Sequence, residues 1–598
     1  MALAAVALVA CHGRSIPPPG TAVMTLGDIS GDFASYQVSI DSIVLTRSDG
    51  TQAAVWLTPE LVDLAKLTDF SELLGAPAVS SGTYTSATLT VDYTAAAIYI
   101  NDAGHAKLCQ AIGPTGSALL VQTLTINFDP VNPLVITAGQ STRAAIDFDL
   151  AASNSVNSIA SPCVVTVHPF ATMRPAPVDN TVLRSRGLLV ITQPDSSNFI
   201  MNTRPLFDLV SIGFGAVTVN VNAQTYFNVN GVTYSGPDGL GALQVQGINL
   251  PIAAYGTLGA LSGITPTFNA TAVYAGTSLE SPLEDHLQGV VAARTGNNIL
   301  MRGALLIARS GILEFADAAN LTIGSNTVVS QDGVAAAGLG IGSISVGQQL
   351  DIGGQGAIST AGNISIDATA GQVRLSPTQI WGTLNSATPG SASLAAETFG
   401  NFEFSDINFS GTNVGGLNAE PGNYILNTGA TDLSHTSPGT LLEVNGFVTP
   451  FGTAPPNFTA TSIFGGTATQ QKLVVEWPAG ATAPFTSTSA AGQVVNLNST
   501  VLGAVHYIRT GPQELDLKSL PASPLITSTG ADQTNLQLAI GSVALTTGIS
   551  MYSNPATFAT AIAEHLNGTN KLYRLVAVGQ FNSATNTFVA SGISLAME

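Results

Sequence analysis

Gln37-Val38-Ser39-Ile40-Asp41-Ser42-Ile43-Val44-Leu45 alternates apolar and polar residues through most of its length. Side chains on an extended chain point to opposite faces in turn, so this pattern predicts a strand with one face in a core and one in water. The same reading applies on either side. Gly82-Thr83-Tyr84-Thr85-Ser86-Ala87-Thr88-Leu89-Thr90-Val91 and Arg143-Ala144-Ala145-Ile146-Asp147-Phe148-Asp149-Leu150 are further strands rich in β-branched and aromatic residues. Between them, Thr58-Pro59-Glu60 supplies an N-cap, a first-turn proline and an acid ahead of Leu61, Leu64 and Leu67, which predicts one short helix.

The composition agrees with sheets exposed outside the cell. Of 598 residues only 9% are charged, against about a quarter in an average soluble protein, while 45% are hydrophobic. Hydroxyls and amides therefore carry most of the surface polarity. The formal net charge of −19 reflects scarce Lys and Arg, and such a surface is a poor partner for nucleic acid, which needs clustered cations. Mean hydropathy is +0.33, yet after Ala10 no apolar run reaches the 18 or so residues of a spanning helix.

An address is legible at the N-terminus. Met1 to Ala10 is an apolar run ending in small residues, and Leu8-Val9-Ala10-Cys11 reads as a lipoprotein cleavage site, with residues 1–10 the signal peptide and Cys11 the lipidated residue. No Lys or Arg precedes Cys11, so either the true start lies upstream or the segment is merely an apolar N-terminus; the competing reading, an ordinary truncated secretory signal, would still mean export. His12 rather than Asp after the cysteine favours the outer membrane. Pro17-Pro18-Pro19-Gly20 closes an extended linker over residues 11–20. With Cys11 acylated, Cys109 and Cys163 remain as a candidate disulfide; the competing readings are two buried thiols, or a metal site with His105 and His168.

Gly27-Asp28 leading into the Val38 to Leu45 strand, Leu61-Val62-Asp63-Leu64, Gly82-Thr83-Tyr84-Thr85 and Ile146-Asp147-Phe148-Asp149 occur in an order and spacing that resemble a bacterial lipoprotein domain family known only by a serial label, domain-of-unknown-function family 4382. The resemblance spans most of residues 21–175 and implies a β-sandwich behind a lipid anchor, with no established activity. The proline-containing acidic turn common in that family stands here as Asp28-Ile29-Ser30-Gly31-Asp32.

Arg174-Pro175-Ala176-Pro177 then predicts a linker. Beyond it, Leu188 to Ile191, Ala216 to Val221 and Thr225 to Val229 are strand candidates. A repeat organises the remainder: Phe268-Asn269-Ala270-Thr271-Ala272-Val273, Phe458-Thr459-Ala460-Thr461-Ser462-Ile463 and Phe588-Val589-Ala590-Ser591-Gly592-Ile593 share Phe-x-Ala-x-x-Val/Ile. In the last two a glycine-containing strand precedes (Val444-Asn445-Gly446, Ala577-Val578-Gly579), so the motif predicts the closing strand of a recurring small module. Leu287 to Val291, Arg302-Gly303-Ala304 and Val346 to Ile352 also resemble a second uncharacterised family, number 5666, which implies tandem barrel-like units. Asn554, Pro555, Phe558, Ile562, Leu566 and Gly568 predict one late helix. The fold expected is all-β: a sandwich over 21–175, then small barrel-like modules over 181–280, 283–385, 386–470 and 471–598, the last with the helix.

Chemistry is sparsely written. Asp28, Asp32 and Asp41 are calcium candidates, set against ordinary acidic turns that need no cofactor. Asp147 and Asp149 share a strand face, where an acid pair would bind metal or cleave a glycoside; the plainer expectation is an edge strand whose acids face water. His286 and His565 each follow an acid and are expected at the surface. Trp56, Trp381 and Trp477 are far apart, which suits cores better than a sugar platform. No Gly-x-Ser-x-Gly, His-Glu-x-x-His, Walker A or Cys-x-x-Cys motif is present. The expectation is a non-enzymatic, lipid-anchored cell-envelope protein that binds glycans or envelope proteins or serves as a spacer, with a polysaccharide hydrolase acting through paired carboxylates as the alternative.

Overall fold

The computed structural model describes residues 18–598 apart from 30–32, 68–69, 103–104, 115, 178, 180, 205–212, 280–282, 335–338, 401, 466–468, 529–534, 542–545 and 567–569. Cys11 and Asp32 lie outside the described residues, as does the side chain of Asp28.

The chain is all-β, and three of its tandem modules are closed five-stranded sheets. In the N-terminal sandwich, one layer has Pro19–Ile29 parallel to Ser141–Asp149, which pairs on its other side with Ala171–Pro175. The opposing layer is built on Phe33–Arg47 and the long strand Gly82–Asp102. Val38 and Ile40 are buried, and so are Ile43 and Leu45, but a bulge between Ile40 and Ser42 lies between the two pairs. That extra residue restores the apolar face after two consecutive polar positions.

The helix expected after Thr58 is a strand. Glu60–Asp63 pairs antiparallel with Gln37 to Ile40, and only Leu64–Lys66 makes a 3-10 turn. One helical turn is costly to nucleate, whereas the neighbouring strand offers a ready ladder. Asp63 locks the choice, accepting from Tyr36 N–H at 2.8 Å and from the Ser35 hydroxyl at 2.7 Å. The expected linker at Arg174-Pro175 is also partly strand, since both residues end Ala171–Pro175.

Three barrels follow, each closed by five strands in the same order. In the first, Leu183–Gln193, Asn198–Thr203 and Ala216–Asn220 pair in sequence; Ala216–Asn220 then lies parallel to Thr267–Ala275, which returns through Pro251–Leu258 to Leu183–Gln193. The second repeats this with Asp285–Thr295, Asn298–Ile307, Leu313–Thr322, Gln349–Ile358 and Ile364–Ser376. The third uses Thr378–Thr388, Ser391–Phe399, Tyr424–Asn427, Leu441–Val448 and Phe458–Gly465. Strand order 1-2-3-5-4 with strands 3 and 5 parallel is the five-stranded Greek-key barrel of OB type. In the first barrel the helix Gly236–Gln246 fills the connection between strands 3 and 4.

The C-terminal module ends the same way: Gln471–Ala481 pairs with Leu572–Asn582, which pairs with Thr587–Met597. Its helix Pro555–His565 is capped by Asn554, which accepts from Ala556 N–H at 2.8 Å, and buries Phe558 and Ile562. The Phe-x-Ala repeat falls on the last strand of its module every time, with Phe268, Phe458 and Phe588 fully buried. Opposite each alanine sits a glycine, Gly256 against Ala270, Gly446 against Ala460 and Gly579 against Ala590, and just beyond each alanine the Phe-x-Ala strand carries one extra, bulged residue, Thr271, Thr461 or Ser591. A Cβ on any of these glycines would stand 2.0–2.1 Å from a carbonyl oxygen of that last strand. The second barrel has the same corner with Ile366 and Ala368 against Gly354, and Ile in place of Phe hid it from the motif.

Candidate functional site

Asp147 and Asp149 occupy the outer face of Ser141–Asp149, because Ile146 and Phe148 between them fill the sandwich core. The expectation of a wet edge strand is overturned. Ser141–Asp149 has a neighbour on each side, and the C-terminal barrel covers its acidic face. Between the two bodies lies a cavity of about 150 Å³ lined by both carboxylates and, across it, by Gln537, Val576, Val578, Ser591 and Ser594, with Gln470 at its exposed margin.

Asp149 is fully engaged. Its Oδ1 accepts from Ala152 N–H at 2.8 Å, capping the short helix Leu150–Ser153, and its Oδ2 lies 2.9 Å from the Ser594 hydroxyl. Ser594 is also 3.1 Å from Gln537 Oε1. One hydroxyl proton serves one acceptor, so the chain closes either with a protonated Asp149 donating to Ser594 or with the Gln537 amide turned to donate. Burial raises the Asp149 carboxyl above its ordinary range, against the pull of its two hydrogen bonds. Asp147 is pushed up to about 7, first by burial and then by the neighbouring Asp149 charge, with Arg174 opposing. Burial and the repulsion of two like charges on one strand face thus both favour the protonated form of Asp147.

Beside the cavity the two bodies are joined by a buried ion pair. Arg574 bonds to Glu476 within its own barrel and donates through Nε to Ala151 O of the sandwich at 2.5 Å, while Ser155 of the sandwich donates to Glu476 at 2.9 Å. His168 stacks on Tyr573 with ring centroids 6.0 Å apart, and burial holds it down to about 4, hence neutral. Val121–Asn127 and Thr546–Tyr552 form a parallel ladder across the junction, and Asp129 accepts from Ser553 N–H at 2.6 Å.

Cys109 and Cys163 are joined in a disulfide with Cα atoms 4.5 Å apart. Their sulfurs are bonded to each other and the imidazoles of the rival metal reading are occupied elsewhere: His105 lies 3.2 Å from Asp317 of the second barrel, and His168 lies against Tyr573. Asp41 accepts from the Ser39 hydroxyl at 2.7 Å. Among the described residues no three His, Cys, Asp or Glu gather into a metal-binding group.

His286 departs from its expected place at the surface. It is 1% exposed, with Nδ1 3.0 Å from Asp351 Oδ1. The preceding Asp285 points the other way and accepts from Arg309 and Gly356 N–H groups at 2.9 Å, so the adjacent acid and histidine form no dyad. Asp351 also holds Arg374, which spans to the first barrel by donating to Ser278 O at 2.6 Å and stacking on Tyr274. The Arg374 charge and the hydrogen bond to His286 keep the Asp351 carboxyl well below the usual range despite its burial. His565 is half-exposed at the end of its helix. Trp56, Trp381 and Trp477 are all buried.

The partners that close over the acid pair were readable in one respect. In Ile593-Ser594-Leu595-Ala596-Met597 the residues between the large apolar ones are small and uncharged, which suits a strand covered on both faces, and all five are buried. What covers it is a matter of tertiary contact. No curated protein matches the chain. Residues 20–160, most of the sandwich including Asp147, Asp149 and Cys109, match the family described as a domain of unknown function, DUF4382.

Proposed function

We propose that this is a lipid-anchored cell-envelope protein, tethered through Cys11 at the outer membrane, whose sandwich and barrels form a non-enzymatic binding or spacing body for glycans or envelope proteins. The observation that carries the non-enzymatic reading is the state of the acid pair. Asp149 spends its oxygens on a helix cap and on Ser594, and the cavity in front of Asp147 is about 150 Å³, below the roughly 300 Å³ at which ligand pockets begin. A polysaccharide chain needs an open cleft along the carboxylates. Here a barrel stands on them.

The hydrolase alternative draws on one observation, an Asp147 carboxyl at about 7 that would suit a general acid. An Asp147→Asn protein assayed on envelope polysaccharides separates the two: turnover by the parent that the variant loses overturns the non-enzymatic reading. The anchor is tested by fractionation. Cys11→Ser, expressed from the full precursor, is expected to move the protein from the membrane to the soluble fraction; an unchanged distribution rejects the anchor.

A further inference from the structure

We infer that the end of the sandwich at which the chain enters the fold rests on the lipid surface, with Val131, Val135 and Ile264 as apolar tips set into the bilayer interface. The inference rests on the proposed anchor at Cys11 and adds a face and an orientation to it.

The covalent path sets the geometry. Pro18 follows Cys11 by seven residues, and a chain extends at most about 3.3–3.6 Å per residue, so the entry point stays within about 25 Å of an acylated cysteine. The entry point is well fixed to the fold. Pro18 O accepts from Ser81 N–H at 3.2 Å, Pro19 O from Gly139 N–H at 3.0 Å, and Thr21 Oγ donates to Ile264 O at 2.7 Å. Ser48 N–H donates to Thr83 O and Leu134 to Ile136 pairs with Gly82 to Tyr84, beside Ser81, so the surface around residue 18 takes in the turn after Arg47, the loop from Asp129 to Leu134, the turn at Thr137 to Gln140 and the first-barrel loop that holds Ile264.

Exposed aliphatic side chains occur elsewhere too, such as Ile159 and Val245, but here three of them stand at the end that the tether reaches. Val131 is 84% exposed, Ile264 55% and Val135 49%. The chain carries a net charge of −19, yet in these loops Asp49 is paired with Arg47 at 3.4 Å, and the Asp129 carboxylate is taken by Ser553 and Val131 N–H groups. An acidic body is repelled from anionic headgroups, and the near-neutral end with protruding aliphatic tips is the one the tether delivers to them.

The test uses the full acylated chain in vesicles of phosphatidylethanolamine and phosphatidylglycerol with brominated acyl chains, which quench nearby indoles. The three native tryptophans are buried and give a constant background. Val131→Trp and Ile264→Trp are expected to lose emission in brominated vesicles, whereas Leu417→Trp, at a residue 67% exposed in the third barrel, keeps it. Sedimentation of the same samples reports the anchor separately. Protein that fails to sediment with the vesicles overturns the anchor; protein that sediments but shows equal quenching at all three positions overturns the orientation while the anchor stands.

Discussion

At the scale of single residues, Asp147 is the group whose chemistry the fold changes most. In an unfolded chain an aspartate titrates near 3.9. Here burial and Asp149 carry it to about 7. Folding thus favours the protonated form: the stability tied to this proton is fully present below about pH 4 and is lost as pH rises through 7. Asp147→Asn removes the charge and keeps the shape, so it is expected to leave stability nearly unchanged at about pH 3.5, below the unfolded value, and to raise it by on the order of 1–3 kcal/mol at pH 8. Urea melts of both proteins at the two pH values check this, and a variant equally shifted at both rejects the titration. The sequence placed both acids on one strand face, because period-two alternation is local. It gave no sign that the face was covered, since the covering Ser594 and Gln537 lie about four hundred residues away in the chain. The expected surface position of His286 failed for the same reason, as its partner Asp351 comes from another strand of the barrel.

At the scale of elements, glycines decide where the barrels turn their corners. A methyl at Gly579 would meet Val589 O at 2.1 Å, and at Gly446 it would meet Thr459 O at the same distance. Neither glycine has a positive φ, so the demand is one of space: the bulged strand approaches its neighbour too closely for a side chain. Gly579→Ala and Gly446→Ala should each cost about 1–3 kcal/mol in denaturant melts. Gly241 is the counter-case. It sits inside the helix Gly236–Gln246 with nothing within 4 Å of a built Cβ, and Gly241→Ala should stabilise by about 0.5–1 kcal/mol. If both kinds of substitution move stability in one direction, the steric account of the corners is wrong. That helix was illegible beforehand because Gly236, Pro237, Gly239 and Gly241 crowd its first turns, whereas Pro555–His565 was legible from its cap and its Phe558 and Ile562 stripe. The repeat was legible because a Phe-x-Ala pair on one strand face is a local pattern, and it missed the second barrel only where Ile366 replaces the ring.

At the scale of the whole molecule, the modules pack around the sandwich. The first barrel extends one sandwich sheet by pairing Leu183–Gln193 with Ser71–Gly75, and Arg184 closes on Glu72 at 2.6 Å. The second touches the sandwich where Ala106 N–H donates to Asp317 at 2.9 Å, and the C-terminal barrel is joined through the ladder, Asp129 and the acid-pair cavity. The third barrel bridges the second, by Val448 N–H to Gln348 at 2.9 Å, and the fourth, by Gln513 to Glu397 at 3.0 Å. Nothing in the sequence announces these contacts, because the polar pairs and the ladders alike join residues a hundred or more positions apart, and a pairing at that distance leaves no local periodicity. Their sum has a measurable consequence. A compact body of this length has a radius of gyration of about 25 Å by the scaling for single globular units, whereas five modules on free linkers would be far more extended. Small-angle scattering of the soluble Cys11→Ser protein is expected to give a value near 25 Å that does not change with salt, because hydrophobic packing and strand ladders hold the contacts alongside the ion pairs. A markedly larger radius, or expansion at high ionic strength, would mean that the barrels separate in solution and that the cavity between Asp147 and Ser594 opens with them.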